Sequence, residues 1–457
     1  MSSARSSTVG EVDGLAAALA GALAPRRLAP GSLVGLAVPN GPGFLAAFLA
    51  LRRLGVAALL FDWLTPDREL QRVARALGAC GLLRTRSGWP GSAAEIGFTE
   101  LADPSDPGLA ALPAEVAVVK LTSGSTGAPR GILFSSQALL CDEQALARSM
   151  ALGADERVFS GIPMSHSYGL TSVVVASLVR AWTIFVPGSV GPFESLDVAR
   201  AEGVTFLPTV PAHLQAMLKL ARPFPLPGSV RLVISAGAPL PPETAVRFRE
   251  TYGMPVKVFY GASECGGIAF DREGSAGERG TLGTAVEGVR LTLQPTDGSE
   301  RQEHGVVTVV SGAVGLGYFP DSDERLAGGR FTTSDLGTFR NGELVLLGRV
   351  DDLINVRGKK VNPREVEAVL SQLEGVEEAV VLGVPAPDGS GDMVRAVVAT
   401  SQAELGYDSV VAWCRQRLAA HKVPRSVIRV ETMPRSARGK LDRAVLRALQ
   451  PERPGDA

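Results

Sequence analysis

Cysteine is scarce in this chain. Cys80, Cys141, Cys265 and Cys414 lie far apart, without the spacing of a metal site or a disulfide framework, and a reducing cytoplasm is the expected setting. A surplus of either charge is also missing. Against 46 Lys and Arg stand 47 Asp and Glu, so the formal charge of −1 removes the electrostatic case for nucleic-acid or membrane partners. No apolar run reaches transmembrane length. A signal peptide at the Ala-rich stretch 15–24 is disfavoured, because Glu11 and Asp13 precede it and only Arg5 is basic ahead of it. Leu15, Leu19 and Leu23, spaced by four, fit an amphipathic first helix instead. Absent too is G-x-x-x-x-G-K-[ST], which excludes the ordinary P-loop of nucleotide triphosphatases.

What remains is a soluble, globular composition, 45% apolar and 20% charged, on a chain of 457 residues that is too long for one core. Two or three domains are expected. Short apolar runs at 33–39, 56–61 and 81–83 alternate with helical stretches at 43–54 and 69–77, and further strands fall near 116–121, 131–134, 158–163, 204–207, 230–234 and 256–260. Such alternation predicts α/β layers with a largely parallel sheet. Residues 84–113, rich in Gly, Pro, Ser and Asp, read mostly as connection, and Ser136 reads as the cap of a helix reaching about Leu152. From about 283 to 348, short β-branched runs separated by turns predict a small, mainly antiparallel β subdomain. The N-terminal domain is thus 1–348. A small α+β domain follows over 349–457, with a helix starting at Asn362-Pro363-Arg364-Glu365.

The most telling stretch is Leu121–Gly131, LTSGSTGAPRG. Glycine lets backbone approach an anion, hydroxyls and N–H groups can turn towards it, and Arg130 adds a fixed positive charge. That chemistry suits a polyphosphate. Three further loops follow predicted strands: MSHSYG at 164–169, SAGAPL at 235–240 and GASE at 261–264. In open α/β sheets, ligands gather at the carboxyl ends of strands.

The Gly-rich loop, YGASE (260–264), TSD (333–335), GRVDD (348–352) and PRSARGK (434–440), at compatible separations from about Leu33 to Leu449, resemble the adenylate-forming superfamily. That superfamily comprises acyl- and aryl-CoA ligases, peptide-synthetase adenylation domains and luciferases. The resemblance implies that Thr122, Ser123, Gly124, Ser125, Thr126 and Gly127 cradle the ATP phosphates, with Thr126 at the β-phosphate or metal. It gives Glu264 to Mg²⁺, Gly237, Ala238, Pro239, Gly261 and Ser263 to the nucleotide pocket, and Tyr260 to stacking on adenine. Asp335 would accept both ribose hydroxyls and Arg349 would donate to the same sugar. Lys440 would offset charge as a carboxylate attacks the α-phosphorus. Asp351 marks a hinge, and Gly358, Lys359 and Lys360 mark the thiol path of the second half-reaction. His166, Tyr168, Gly266 and Ile268 would line the acyl pocket.

The implied activity is that of an AMP-forming carboxylic acid–CoA ligase. The acid and ATP give acyl-AMP and pyrophosphate, and the acyl group then passes to CoA as a thioester. An acceptor on a separate carrier protein bearing phosphopantetheine is the alternative, and a non-catalytic nucleotide-binding scaffold is a third. SHSYGLTSV contains no acid to pair with an α-ammonium, so an uncharged aliphatic or aromatic tail is expected rather than an amino acid. The chain departs from the family where Arg130 replaces the usual Lys. Ser334 stands in TSD for a Gly, and Ser263 for a Thr.

Overall fold

The computed structural model describes residues 6–26, 28–103, 112–122, 129–187, 197, 200–219, 226–295, 303–356, 359–386, 392–402, 405–435 and 441–450, for residues 351 and 360 the backbone alone. Ser123, Gly124, Ser125, Thr126, Gly127, Gly358 and Lys440 lie outside the described residues. By contact density the chain divides into two compact units. One comprises Met1–Thr292, Thr308–Thr332 and Arg340–Leu344; the other comprises Leu293–Val307, Thr333–Phe339 and Val345–Ala457.

Two seven-stranded sheets build the first unit. In one, Leu33–Ala37 pairs in parallel with both Ala57–Leu60 and Gly81–Arg84, and Ala57–Leu60 pairs in parallel with Val116–Leu121. These strands are almost wholly buried, as expected of parallel strands covered on both faces. Leu59, Leu70, Val73, Leu77, Leu82 and Val119 make part of the core between this sheet and the helix Asp67–Ala76. In the other sheet, Arg157–Phe159, Phe206–Thr209, Leu232–Ser235 and Lys257–Ala262 run parallel in turn, and Gly266–Phe270 folds back antiparallel. Phe159, Leu207, Leu214, Val233, Phe248 and Val258 pack beneath it. Each fully buried side chain of this size contributes about 1.5–3 kcal/mol through loss of exposed apolar surface.

Three expectations need correction. Residues 84–113 are not simply connection, because Gly97–Glu100 forms an edge strand antiparallel to Gly81–Arg84. The helix after the Gly-rich loop spans Ser136–Ser149, and its cap is Ser135, which accepts from the Ala138 N–H. Within 283–348, the short strands Thr284–Ala285 and Gly317–Phe319 join the two seven-stranded sheets, on Gly266–Phe270 and Gly131–Ser135 respectively. The remaining strands there, Arg290–Gln294, His304–Val310, Leu326–Ala327, Arg330–Arg340 and Glu343–Arg349, form a separate five-stranded sheet.

In the second unit, Glu378–Pro385 pairs antiparallel with Asp392–Ala399, which pairs in parallel with Ser426–Val430. Side-chain alternation gives this sheet two packed faces. Val381, Val394, Ala396 and Val398 face the helices Pro363–Leu370 and Tyr407–Arg415, while Val380, Leu382, Val397 and Ile428 face Leu446. Asn362 caps the first helix, with its side chain accepting from Arg364 N–H at 3.1 Å and donating to Leu347 O at 2.6 Å.

Candidate active site

The neck of the Gly-rich loop is closed by Thr122. Its N–H donates to the Arg130 carbonyl at 3.0 Å and its hydroxyl donates to the same oxygen at 3.3 Å. The loop therefore leaves and re-enters the sheet at one point, between the antiparallel strands Val116–Leu121 and Gly131–Ser135. Arg130 does not extend freely from it. Its guanidinium lies 3.8 Å from the centre of the Tyr318 ring, 3.4 Å from Asp323 Oδ2 and 3.2 Å from the Asp321 carbonyl. Hydrogen bonding from Arg325, aided by the charges of Arg325 and Arg130, holds the Asp323 carboxyl down to about 2.

Glu264 is half-buried in the turn linking Lys257–Ala262 to Gly266–Phe270. The ladder shifts register between Tyr260 and Gly261, a bulge that re-aims the residues after it. The Tyr318 hydroxyl donates to Glu264 Oε1 at 3.0 Å, and the Gly315 N–H donates to the Glu264 carbonyl at 2.8 Å. Burial, and then the charge and hydrogen bond of Glu264, push the Tyr318 phenol up. Sequence reasoning missed Tyr318, whose role depends on Gly317–Phe319 pairing with Gly131–Ser135 from far along the chain.

Gly237, Ala238 and Pro239 are exposed between the strand Leu232–Ser235 and the helix Pro242–Tyr252. Gly237 has φ +81°, a conformation glycine adopts without strain, so the chain turns sharply there. Tyr260, partly exposed, and exposed Gly261 end the neighbouring strand, with half-buried Ser263 beyond them. These backbone groups at strand ends can frame a flat base.

His166 is exposed and 3.9 Å from Asp62 Oδ2. Asn40, also missed from the sequence, fastens the segment before it. Its Nδ2 donates to the Ile162 carbonyl at 2.7 Å and its Oδ1 accepts from Met164 N–H at 2.8 Å. Behind His166 sits a buried polar cluster. Lys120, 3% exposed, donates to Ser167 Oγ at 2.9 Å and lies 3.7 Å from the centre of the Phe134 ring. Burial pushes its pKa down to about 8, against the opposing pull of Asp142, Cys265 and Glu264. Asp142, 4% exposed, accepts from Gly267 N–H at 2.9 Å, and burial raises its pKa. The Tyr168 ring packs 5.6 Å from Phe259, and its hydroxyl is buried without a hydrogen-bond partner among the described residues. Ile268 is fully buried. Gly266, with φ +68°, is also buried, and a Cβ there would fall 2.3 Å from the Asp142 carboxylate.

In the second unit, Arg349 Nε lies 3.7 Å from Asp335 Oδ1, and the Asp335 N–H is held by Thr333 Oγ1 at 2.9 Å. One carboxylate and one guanidinium side by side can accept from and donate to a diol. Lys359 is exposed on the strand Lys359–Val361.

Among the described residues, no three His, Cys, Asp or Glu side chains gather as a metal site. Mg²⁺ is held by one or two carboxylates together with substrate phosphates, and the half-buried Glu264 is a carboxylate of that kind.

The same arrangement of strands and loops occurs in known proteins. A feruloyl-CoA synthase of Amycolatopsis sp is 28% identical over 453 residues, 95% of this chain and 92% of that protein. The long-chain-fatty-acid–CoA ligase FadD13 of Mycobacterium tuberculosis is 26% identical over 470 residues, 96% of this chain and 92% of its own length. ATP-bound MatB from Rhodopseudomonas palustris superposes with a TM-score of 0.80 at 24% identity, over 96% of this chain and 92% of that one, which establishes the shared fold. The AMP-binding enzyme family model matches residues 2–319, taking in the Gly-rich loop, Gly237 and Glu264, and the model of that family's C-terminal domain matches residues 365–440. With both parts matched and its strand-end loops in place, the chain belongs to the AMP-binding enzymes.

Proposed function

We propose that this chain is an AMP-forming acid–thiol ligase that joins a small carboxylic acid to ATP, releases pyrophosphate, and transfers the acyl group from acyl-AMP to CoA. The observation that carries this reading is the placement of Glu264. Its half-buried carboxylate is tied through Tyr318 to Arg130, whose carbonyl accepts the Thr122 hydrogen bonds that close the neck of the Gly-rich loop. Mg²⁺, when bound, neutralises charge on the departing pyrophosphate. The protein's own residues divide the remaining work. The loop around Thr126 grips phosphates, Gly237–Pro239 and Tyr260 hold the base, and Asp335 with Arg349 binds the ribose. Lys440 offsets charge on the bond forming at the α-phosphorus. No general base is required, because the attacking carboxylate is ionised at neutral pH. For the second half-reaction, the C-terminal domain turns at Asp351 and presents the Gly358 loop with Lys359 and Lys360.

The relatives named for CoA ligation support CoA as the acceptor. The protein is proposed to act in the cytoplasm, and no described helix is long and apolar enough to cross a membrane. The test is a panel of acids scored by ATP–pyrophosphate exchange, followed by thioester formation with CoA and with phosphopantetheinylated carrier proteins. Exchange with one or more acids and turnover with CoA is the expected result. Turnover with a carrier alone would replace CoA by a separate acyl carrier protein, and no exchange with any acid would defeat the reading.

A further inference from the structure

Glu264 stands on a tight turn and is only half-buried, so its own strands do little to fix its side chain. The segment 315–318 supplies that support twice, through Gly315 N–H to the Glu264 carbonyl and through the Tyr318 hydroxyl to Oε1. One carboxylate oxygen is thereby engaged. Tyr318 is itself placed by register, since it lies opposite Ile132, and Phe319 opposite Gly131, next to Arg130. Arg130 then covers the phenol ring while its two terminal nitrogens reach Asp323 and the Asp321 carbonyl; its Nε is buried without a partner among the described residues. A planar fork can stack and donate twice in this way. A lysine ammonium, a compact point charge, cannot reproduce that geometry.

We propose that Tyr318 is a positioning residue for Glu264 and that Arg130 acts through Tyr318. The arginine fixes the ring, the phenol fixes the carboxylate, and the phosphate loop and Glu264 share one support. Arg130 is thus a holder of Tyr318, with its charge committed to Asp323. The proposal rests on the reading of Glu264 as the carboxylate that meets Mg²⁺ and the triphosphate.

The experiment uses the full-length protein with Tyr318→Phe, Arg130→Lys, Glu264→Gln and the Tyr318→Phe/Glu264→Gln double variant. ATP binding is measured by calorimetry across a Mg²⁺ titration, and ATP–pyrophosphate exchange is measured in parallel. Removing an outer hydrogen bond to a metal-binding group costs 10–100-fold, so Tyr318→Phe is expected to raise the half-saturating Mg²⁺ by about tenfold. It should lower kcat by a similar factor and leave the KM for the acid, the melting temperature and Mg²⁺-free AMP binding unchanged. Arg130→Lys should shift the Mg²⁺ midpoint in the same direction, and the double variant should be no worse than Glu264→Gln alone. An unmoved Mg²⁺ midpoint in Tyr318→Phe, or losses that multiply in the double variant, would reduce Tyr318 to packing. Wild-type behaviour of Arg130→Lys would overturn the part given to Arg130. A wild-type protein that binds no ATP with Mg²⁺ would overturn the reading of the nucleotide site itself, a result distinct from any of these.

Discussion

Lys120 and Asp142 are charged groups in a place where charge is costly. Each is almost fully buried, and the charge of each partly opposes the shift that burial imposes on the other. Removing one takes away the charge that partly offsets the burial of the other. Lys120→Met and Asp142→Asn should each lower the urea midpoint substantially, and the double variant should lose less than the sum. The pH dependence has a definite sign. Because the folded pKa of Lys120, about 8, lies below its ordinary 10.5, the unfolded chain holds more protons in between. Its contribution to stability therefore rises with pH across that window, and the rise should vanish from unfolding measured on Lys120→Met. Asp142, raised by burial, contributes oppositely, losing stability as pH climbs above 3.8. The sequence hid this pair. Lys120 sits in a run of valines that reads as a plain buried strand, and its partner lies on a helix beyond the loop. The same blindness covered Tyr318, whereas Glu264, Gly237 and the loop neck were legible because motif and strand end coincide there.

At the level of elements, the alternation of strands and helices was readable wherever a strand is buried on both faces. It failed for Gly97–Glu100, a mostly exposed edge strand whose one large apolar residue, Phe98, fills the space left open by Gly81. It failed again for Gly317–Phe319 and Thr284–Ala285, which are too short to carry a periodic signal and are recruited by distant partners. The segment 160–164, which leads to His166, is fastened by a side chain from the turn after the strand Leu33–Ala37. Asn40→Ala leaves the Met164 N–H and the Ile162 carbonyl without their partner, which costs about 1–3 kcal/mol for a buried group. A fall in melting temperature should therefore accompany a loss of exchange activity, and Asn40→Asp, which keeps only the acceptor, should fall between the two.

For the whole molecule, a reading of two or three domains follows from length, and motif spacing extends it to a function. In the proposed function Lys440 serves only the first half-reaction, which separates the two steps cleanly. Lys440→Ala should slow acyl-AMP formation by about a hundredfold or more, the scale of a lost charge-stabilising donor. Thioester formation from supplied acyl-AMP should stay near the wild-type rate, measured in single turnover. Equal loss in both steps would remove Lys440 from its assigned part.

The contact between Gly266 and Asp142 bears on how this enzyme could be changed. Gly266 is proposed to line the acyl pocket, and a glycine in that position is a natural target for libraries that seek new substrates, because a larger side chain would shorten the cavity. Here that route is blocked from within, since any side chain at 266 would collide with a buried carboxylate and must also adopt φ +68°. Asp142 in turn is tied to the charge on Lys120. Variation at one position therefore demands simultaneous change at three, and selection schemes that alter residues singly would find this wall fixed.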